Sequence, residues 1–254
     1  MSARATLLGA LFELLYRNRL LYWLASTVPF AGQWRVWQRR VLPRIAGRHV
    51  LEVGCGIGTL LGDLVAAGYA CRAVDASPQM VRAAQAELRR RHLDTRGVQV
   101  VRAQVQRLPF TDASFDTVVC TFPTPYIYDP RAIQEIARVL RPEGRLVVVE
   151  AAALLPAHAW LLPFVLLQRL AYGRARSYPP SRPHHPPAFG QANTVITIEV
   201  PGRQSAIPLE AAGLRRREEI DRSSLWEVAV TIGDKPAAGP LAAAGAATLE
   251  RGRD

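Results

Sequence analysis

The groups best placed for chemistry in this sequence are an acid, three glycines spaced two apart and a second acid further on: Glu52, then Gly54, Gly56 and Gly58, then Asp75. Glycine lets a turn reach positive φ and lets a ligand approach the backbone, and the amides that open a following helix point into the same space. Val50, Leu51 and Val53 read as a buried strand feeding the turn, and Leu60, Leu61, Leu64 and Val65 as the apolar face of the helix leaving it. A dinucleotide turn wants G-x-G-x-x-G, with its third glycine where this chain has Thr59, and sets a pyrophosphate on the helix. Here the spacing is G-x-G-x-G, and a carboxylate two residues before the first glycine suits a cationic ligand better than a pyrophosphate.

Asp75 ends a second apolar run, residues 70–74. A carboxylate there can accept from both hydroxyls of a ribose, each charge-assisted bond being worth roughly 1.5–3 kcal/mol. Four segments then fall in sequence: VLEVGCGIG from 50, AVDASPQMVRAAQ from 73, RLPFTDASFDTVVC from 107 and EIARVLRPEGRLVVVE from 135. In order and spacing they resemble the class I methyltransferases that use S-adenosylmethionine, and among these the small-molecule, type 11-like domains. The resemblance covers about residues 48–149, with weaker signs on to residue 234. It implies that Gly54, Cys55, Gly56 and Gly58 underlie the donor's amino-acid end, with Glu52 balancing its charge and Asp75 holding the ribose. Ala76, Met80, Gln104, Val105 and Thr121 complete the implied donor site, although Met80 reads equally as core. Relatives usually carry an acid at the position of Gln104, accepting from the adenine amino group. A glutamine carbonyl accepts without charge assistance, so that contact is expected to be weaker by roughly 1 kcal/mol.

Methyl transfer from a sulfonium is an in-line displacement in which positioning does much of the work. A base is needed only where the acceptor must lose a proton. Asp129 and His158 are the nearest candidates in sequence; both read better as structural, and no catalytic residue is assigned. Ligands of doubly wound sheets lie over the carboxyl ends of the strands, so the acceptor is expected beside Phe122, Tyr126 and Tyr128, just beyond the fourth strand. The two tyrosines read either as an aromatic wall or as packing for the next helix. The loop lacks the Asn-Pro-Pro-Tyr pattern with which resembling enzymes hold a planar amino group, and this disfavours a nucleic-acid acceptor.

The elements that must position these groups form an α/β pattern. Strands are expected at 50–53, 70–74, 98–102, 117–121, 145–150, 194–200, 215–221 and 226–232. Ser77 and Pro78 make an N-cap and first turn for a helix ending near Arg91, and Ile133, Ile136, Ala137, Val139 and Leu140 mark another. The family resemblance turns this into a Rossmann-like doubly wound seven-stranded sheet with its last strand antiparallel. The division expected is an N-terminal helical cap over 1–45, a methyltransferase domain over 46–235 with an insertion at 151–193, and a flexible tail over 236–254.

A chain of 254 residues suits one such domain with an appendage. Cys55, Cys71 and Cys120 lack pairing-like spacing and read as small buried residues in a reducing, cytoplasmic compartment. No metal-ligand cluster is apparent, and His184 and His185 fall in a proline-rich loop. The net charge of +11 invites an anionic partner, yet Lys235 is the only lysine and the arginines are scattered, so a solvated basic face is the plainer reading. Arg89, Arg90 and Arg91 end one helix, where cations suit the macrodipole.

Glu13, Arg17 and Arg19 interrupt the apolar N-terminus, and no small-residue cleavage site follows, which argues against a secretory signal. Its helical spacing fits a cap over the donor site and also an interfacial helix within 7–40. Residues 151–172 are apolar, with Pro156 and Pro163 breaking any single spanning helix. Residues 154–172 could roof the acceptor pocket, dip into a bilayer surface, meet a second subunit or simply form a core helix covering the sheet. The first two suit a small hydrophobic or amphipathic acceptor such as a quinone or lipid. An RNA or DNA methyltransferase and a catalytically silent cofactor-binding protein remain as rivals.

Overall fold

The computed structural model describes residues 30–93, 97–156, 159–172, 195–199 and 205–237. The expectations for residues 7–29, His158, the loop at 173–194 and the tail beyond 237 lie outside these. Eight strands form one sheet: β1 (His49–Val53), β2 (Ala70–Asp75), β3 (Gln99–Arg102), β4 (Phe115–Thr121), β5 (Leu140–Leu154), β6 (Ile196–Glu199), β7 (Arg215–Arg222) and β8 (Trp226–Asp234). Their order is β3-β2-β1-β4-β5-β8-β7-β6. Strands β3 to β5 pair parallel, and β8, β7 and β6 each run antiparallel to the preceding neighbour. The expected seven-stranded arrangement is therefore present as β1–β5, β7 and β8, with β6 added at the edge.

Strand β1 is central because it can be buried on both faces, and its alternating side chains feed two cores. Val50, with Ala73, Val119, Val147 and Val149, joins one core, which is covered by helices α2 (Thr59–Ala66) and α3 (Pro78–Arg90). Leu51 and Val53, with Val74, Val118, Cys120, Leu146 and Val148, join the other under helix α4 (Pro130–Val139). Helix α3 opens as its sequence dictates: Ser77 Oγ accepts from Met80 N at 3.4 Å, and Pro78 occupies the first turn. Asp129 caps α4 in the same way, accepting from Arg131 N at 3.0 Å.

The described part of the N-terminal segment comprises α1 (Trp34–Gln38) and a 3₁₀ turn at Arg39–Arg44, and it is tied down by charge as well as by packing. Arg44, 7 % exposed, donates to both oxygens of Asp221 at 2.8 and 2.9 Å and to Glu219 at 2.7 Å. Asp63 on α2 accepts from Arg35 on α1 and from Arg91 beyond α3. Some of the arginines that read as a solvated face in the sequence are locked here: Arg91 and Arg216 have side chains only 16 % and 18 % exposed, each paired with two carboxylates. Residues 151–154 continue β5, and α5 (Leu162–Tyr172) follows, its Val165 packing into the same core as Trp37 and Trp226.

Candidate functional site

Sheet order reverses between β1 and β4, so a crevice opens where both strands end. The glycine turn fills the floor of that crevice. Gly54, Gly56 and Gly58 all have positive φ. Two of them leave no room for a side chain: a Cβ on Gly54 would stand 2.7 Å from Tyr126 Oη, and one on Gly58 would stand 2.7 Å from the Ala84 backbone of α3. Gly54 N and Cys55 N both donate to Val74 O, at 2.8 and 3.1 Å, which pins the turn to β2.

Asp75 at the tip of β2 is oriented before any ligand arrives. Its Oδ2 accepts from Gly56 N and its Oδ1 from Ser77 N, each at 2.9 Å. Burial raises its carboxyl above the ordinary value, partly offset by these two amide bonds. Glu52 is 2 % exposed, and burial, with Asp75 and Asp63 nearby, pushes its carboxyl well above the usual carboxylate range. Its Oε2 is buried without a hydrogen-bond partner. An orphaned buried carboxylate oxygen beside a turn that excludes side chains fits a cationic, closely held ligand, and S-adenosylmethionine has that character.

The remaining expected donor residues fall along the same carboxyl edge. Ala76 is exposed immediately after Asp75, and its carbonyl accepts from Arg102 Nε at 3.3 Å. Gln104 is exposed beyond β3, its carbonyl accepting from Arg107 N, while Val105 is buried next to it. Met80 is 2 % exposed in the first turn of α3. Thr121 ends β4, and its Oγ1 accepts from Gln38 Nε2 at 3.3 Å.

On the presumed acceptor side the structure separates residues that the sequence grouped. Phe122, at φ +49°, stacks on Trp34 with ring centroids 4.2 Å apart and meets Trp37 edge-on at 6.3 Å. Tyr126 turns back beneath the glycine turn, its hydroxyl 2.9 Å from Cys120 Sγ and donating to Val53 O at 3.5 Å. Tyr128 stands half exposed. Asp129, one of the two candidate bases, is occupied as a helix cap and also accepts from Gln106 Nε2 at 3.2 Å. The sequence placed Trp34 only within an expected cap and did not single out Gln38. Gln38 Oε1 is buried without a partner beside Thr121, and only the pattern of aromatic residues around it in α1 hinted at a site.

Among the described residues there is no group of three or more potential metal ligands. A broad depression lined by His49, Arg72, Gln99 and Arg141 lies at the amino ends of the strands, the end opposite the glycine turn.

The sequence model of the family described as "Methyltransferase domain" matches residues 51–148. Among curated proteins, the chain is 38 % identical over 120 residues to a protein named demethylmenaquinone methyltransferase from Clavibacter sepedonicus, covering 46 % of each. It is 30 % identical over 167 residues to one of the same name from Corynebacterium urealyticum, covering 64 % of this chain and 67 % of that one. The chain spans about half to two thirds of the length of the curated relatives it matches. Of solved structures, a Pyrococcus horikoshii protein superposes with a TM-score of 0.52 at 18 % identity, over 84 % of this chain and 98 % of that one, which speaks for the fold. The strand order, the glycine turn on β1, the acid at the tip of β2 and the matching relatives agree: the chain belongs to the class I S-adenosylmethionine-dependent methyltransferases.

Proposed function

We propose that this protein is a cytoplasmic enzyme, working at or near a membrane surface, that methylates a small hydrophobic or amphipathic acceptor of the quinone or lipid kind. The observation that carries the donor half is the buried, unpartnered Glu52 oxygen beside the glycine turn. When bound, S-adenosylmethionine supplies a methyl group activated on a sulfonium for direct displacement. Glu52 balances the cationic amino-acid end, and the amides around Gly54 to Gly58 meet it from below. Asp75, held by two backbone amides, has lone pairs left to receive ribose hydroxyls. Gln104 and Val105 line the adenine edge opposite Ala76 and Met80.

The acceptor half rests on the aromatic stack of Trp34 and Phe122 at the end of β4, an apolar wall that keeps water from the methyl position. Thr121 and the unpartnered Gln38 Oε1 offer polar atoms at that wall for a hydroxyl on the acceptor. Orientation, rather than a dedicated base, is then the chain's main contribution to rate. The relatives' shared name, demethylmenaquinone methyltransferase, supports a quinone-like acceptor.

The test is calorimetry with S-adenosylmethionine, S-adenosylhomocysteine and a nicotinamide dinucleotide in parallel, followed by labelled-methyl transfer to naphthoquinols, phenols and lipids. Binding of the first two ligands alone, with label entering a naphthoquinol, is the expected result. Binding of neither sinks the reading. Tight donor binding without transfer to any acceptor would make this a silent cofactor-binding protein instead.

A further inference from the structure

We propose that the exposed apolar face of α5 is a docking surface for an anionic lipid bilayer. Helix α5 is apolar around its described circumference but only half buried. Leu161, just before it, and Val165 are 1 % and 7 % exposed. On the other side Leu162, Leu166 and Leu167 are 53 %, 59 % and 41 % exposed, with Pro163 exposed among them. At 100° per residue these four occupy one continuous arc of roughly 140°. A soluble helix puts polar side chains on that arc, and a contiguous apolar patch in its place marks an interaction site. Eleven residues extend only about 16 Å, so this helix can lie on a bilayer but not span it. No helix among the described residues is long and apolar enough to cross a membrane.

Charge identifies the occupant. Residues 1–51 contain eight arginines and one acid, Glu13, and residues 151–198 contain four arginines and no acid. All other residues together carry twenty basic and twenty acidic side chains, so the whole net charge of +11 resides in the two apolar segments. On α1, Val36 is 42 % exposed between Arg35 and Arg39, whose side chains are 53 % and 54 % exposed. Helices α1 and α5 both pack on β5. An exposed apolar face on a chain of net charge +11 complements a bilayer whose headgroups are anionic. A nucleic acid would find the cations but leave the leucines in water. This surface deepens the reading of a membrane-dissolved acceptor, yet its test needs no turnover.

The full chain is sedimented with vesicles of equal parts phosphatidylglycerol and phosphatidylcholine, and with phosphatidylcholine alone, at low and physiological salt. The comparison is a Leu166→Asp, Leu167→Asp double variant, whose melting temperature and donor binding are measured alongside. The expected result is sedimentation with the anionic vesicles, weakened about tenfold or more by salt, by neutral lipid and by the double substitution, with melting and donor binding unchanged. Failure to sediment, or equal sedimentation of the double variant, overturns the proposal. So does a double variant that melts several degrees lower, since the face would then be covered by the chain itself. Loss of a concentration-dependent dimer in light scattering would assign the face to a second copy. Vesicle binding without donor binding would leave the docking surface standing and remove the methyltransferase reading; the converse would do the reverse.

Discussion

Replacing Glu52 with Gln should weaken donor binding and strengthen the fold at the same time. In the protein alone this carboxyl is 2 % exposed, has one orphaned oxygen, and is pushed well above the usual carboxylate range by burial and by Asp75 and Asp63. An acid whose folded pKa is raised binds more protons folded than unfolded, so stability falls as pH rises from the unfolded value, about 4.3, toward the folded one. Glutamine keeps the volume and removes the titration. The variant should therefore melt about 2–4 °C higher than the parent at pH 8, for roughly 1 kcal/mol of relief, and show a smaller gain at pH 5. Donor binding goes the other way. A cation near Glu52 favours its ionised form, so binding should release a proton, and donor affinity should rise with pH until the carboxyl is already ionised in the free protein. Losing that charged partner costs about 1.5–3 kcal/mol, or roughly 10- to 150-fold in Kd. Calorimetry of S-adenosylhomocysteine binding from pH 6 to 9, in two buffers of different ionisation enthalpy, counts the proton directly. An unchanged pH slope in Glu52→Gln would refute the assignment of Glu52 to the donor's cation.

Asp75→Ala should weaken donor binding by about 2–4 kcal/mol through loss of its charged bonds, read by the same calorimetry, and unchanged binding would remove Asp75 from the ribose. Gly54→Ala meets both a left-handed φ of +72° and Tyr126 Oη at 2.7 Å. It should cost about 1–3 kcal/mol of stability, and Tyr126→Phe should recover part of that loss by removing the clashing oxygen; no recovery in a double-mutant melt would show that strain alone matters. Glu87 and Asp116 are each held down to about 2, mainly by Arg90 for Glu87 and by His49, Arg141 and Arg48 for Asp116, and Asp63 is lowered by Arg35 and Arg91. Their folded pKa values lie below the unfolded ones, so this stability is complete above about pH 4 and is lost as pH falls toward 2. An acid melt should show its steepest loss there, and Arg91→Gln should move the midpoint upward.

The glycine turn and the acids beside it were legible because they are local. The spacing of Gly54, Gly56 and Gly58, the acid at Glu52 and the cap at Ser77 are each fixed by backbone geometry within a few residues, and all sit where the pattern puts them. Strands β1, β2, β4 and the core of β5 were legible for a related reason, since buried parallel strands read as continuous apolar runs. What the sequence hid was set by distant contacts. Tyr126 and Phe122 lie four residues apart in one loop, yet one reaches under the glycine turn and the other joins Trp34, 88 positions from it in sequence. Arg91 looked like a solvent charge because nothing local reveals Asp63 beside it. Strand β6 was readable as a segment, but its place at the sheet edge follows from pairing with β7.

The arrangement of the N-terminal segment also constrains how an acceptor can reach the methyl group. Gln38 and Trp34 meet Thr121 and Phe122 at the carboxyl end of β4, so the segment forms one wall of the crevice. The same segment is clamped at one end by Arg35 to Asp63 and at the other by Arg44 to Asp221, whose side chain is 0 % exposed. Parting a buried ion pair from one partner typically costs 3–5 kcal/mol. Lifting this wall would part several such pairs and also separate Trp34 from Phe122, whose φ of +49° is itself a strained conformation held by its surroundings. Residues 30–44 therefore act as a fixed wall rather than a lid. In the proposed reaction Thr121 and Gln38, set beside the Trp34–Phe122 stack, would orient an amphipathic acceptor by its hydroxyl. That orientation is what an in-line displacement without a dedicated base requires of the protein.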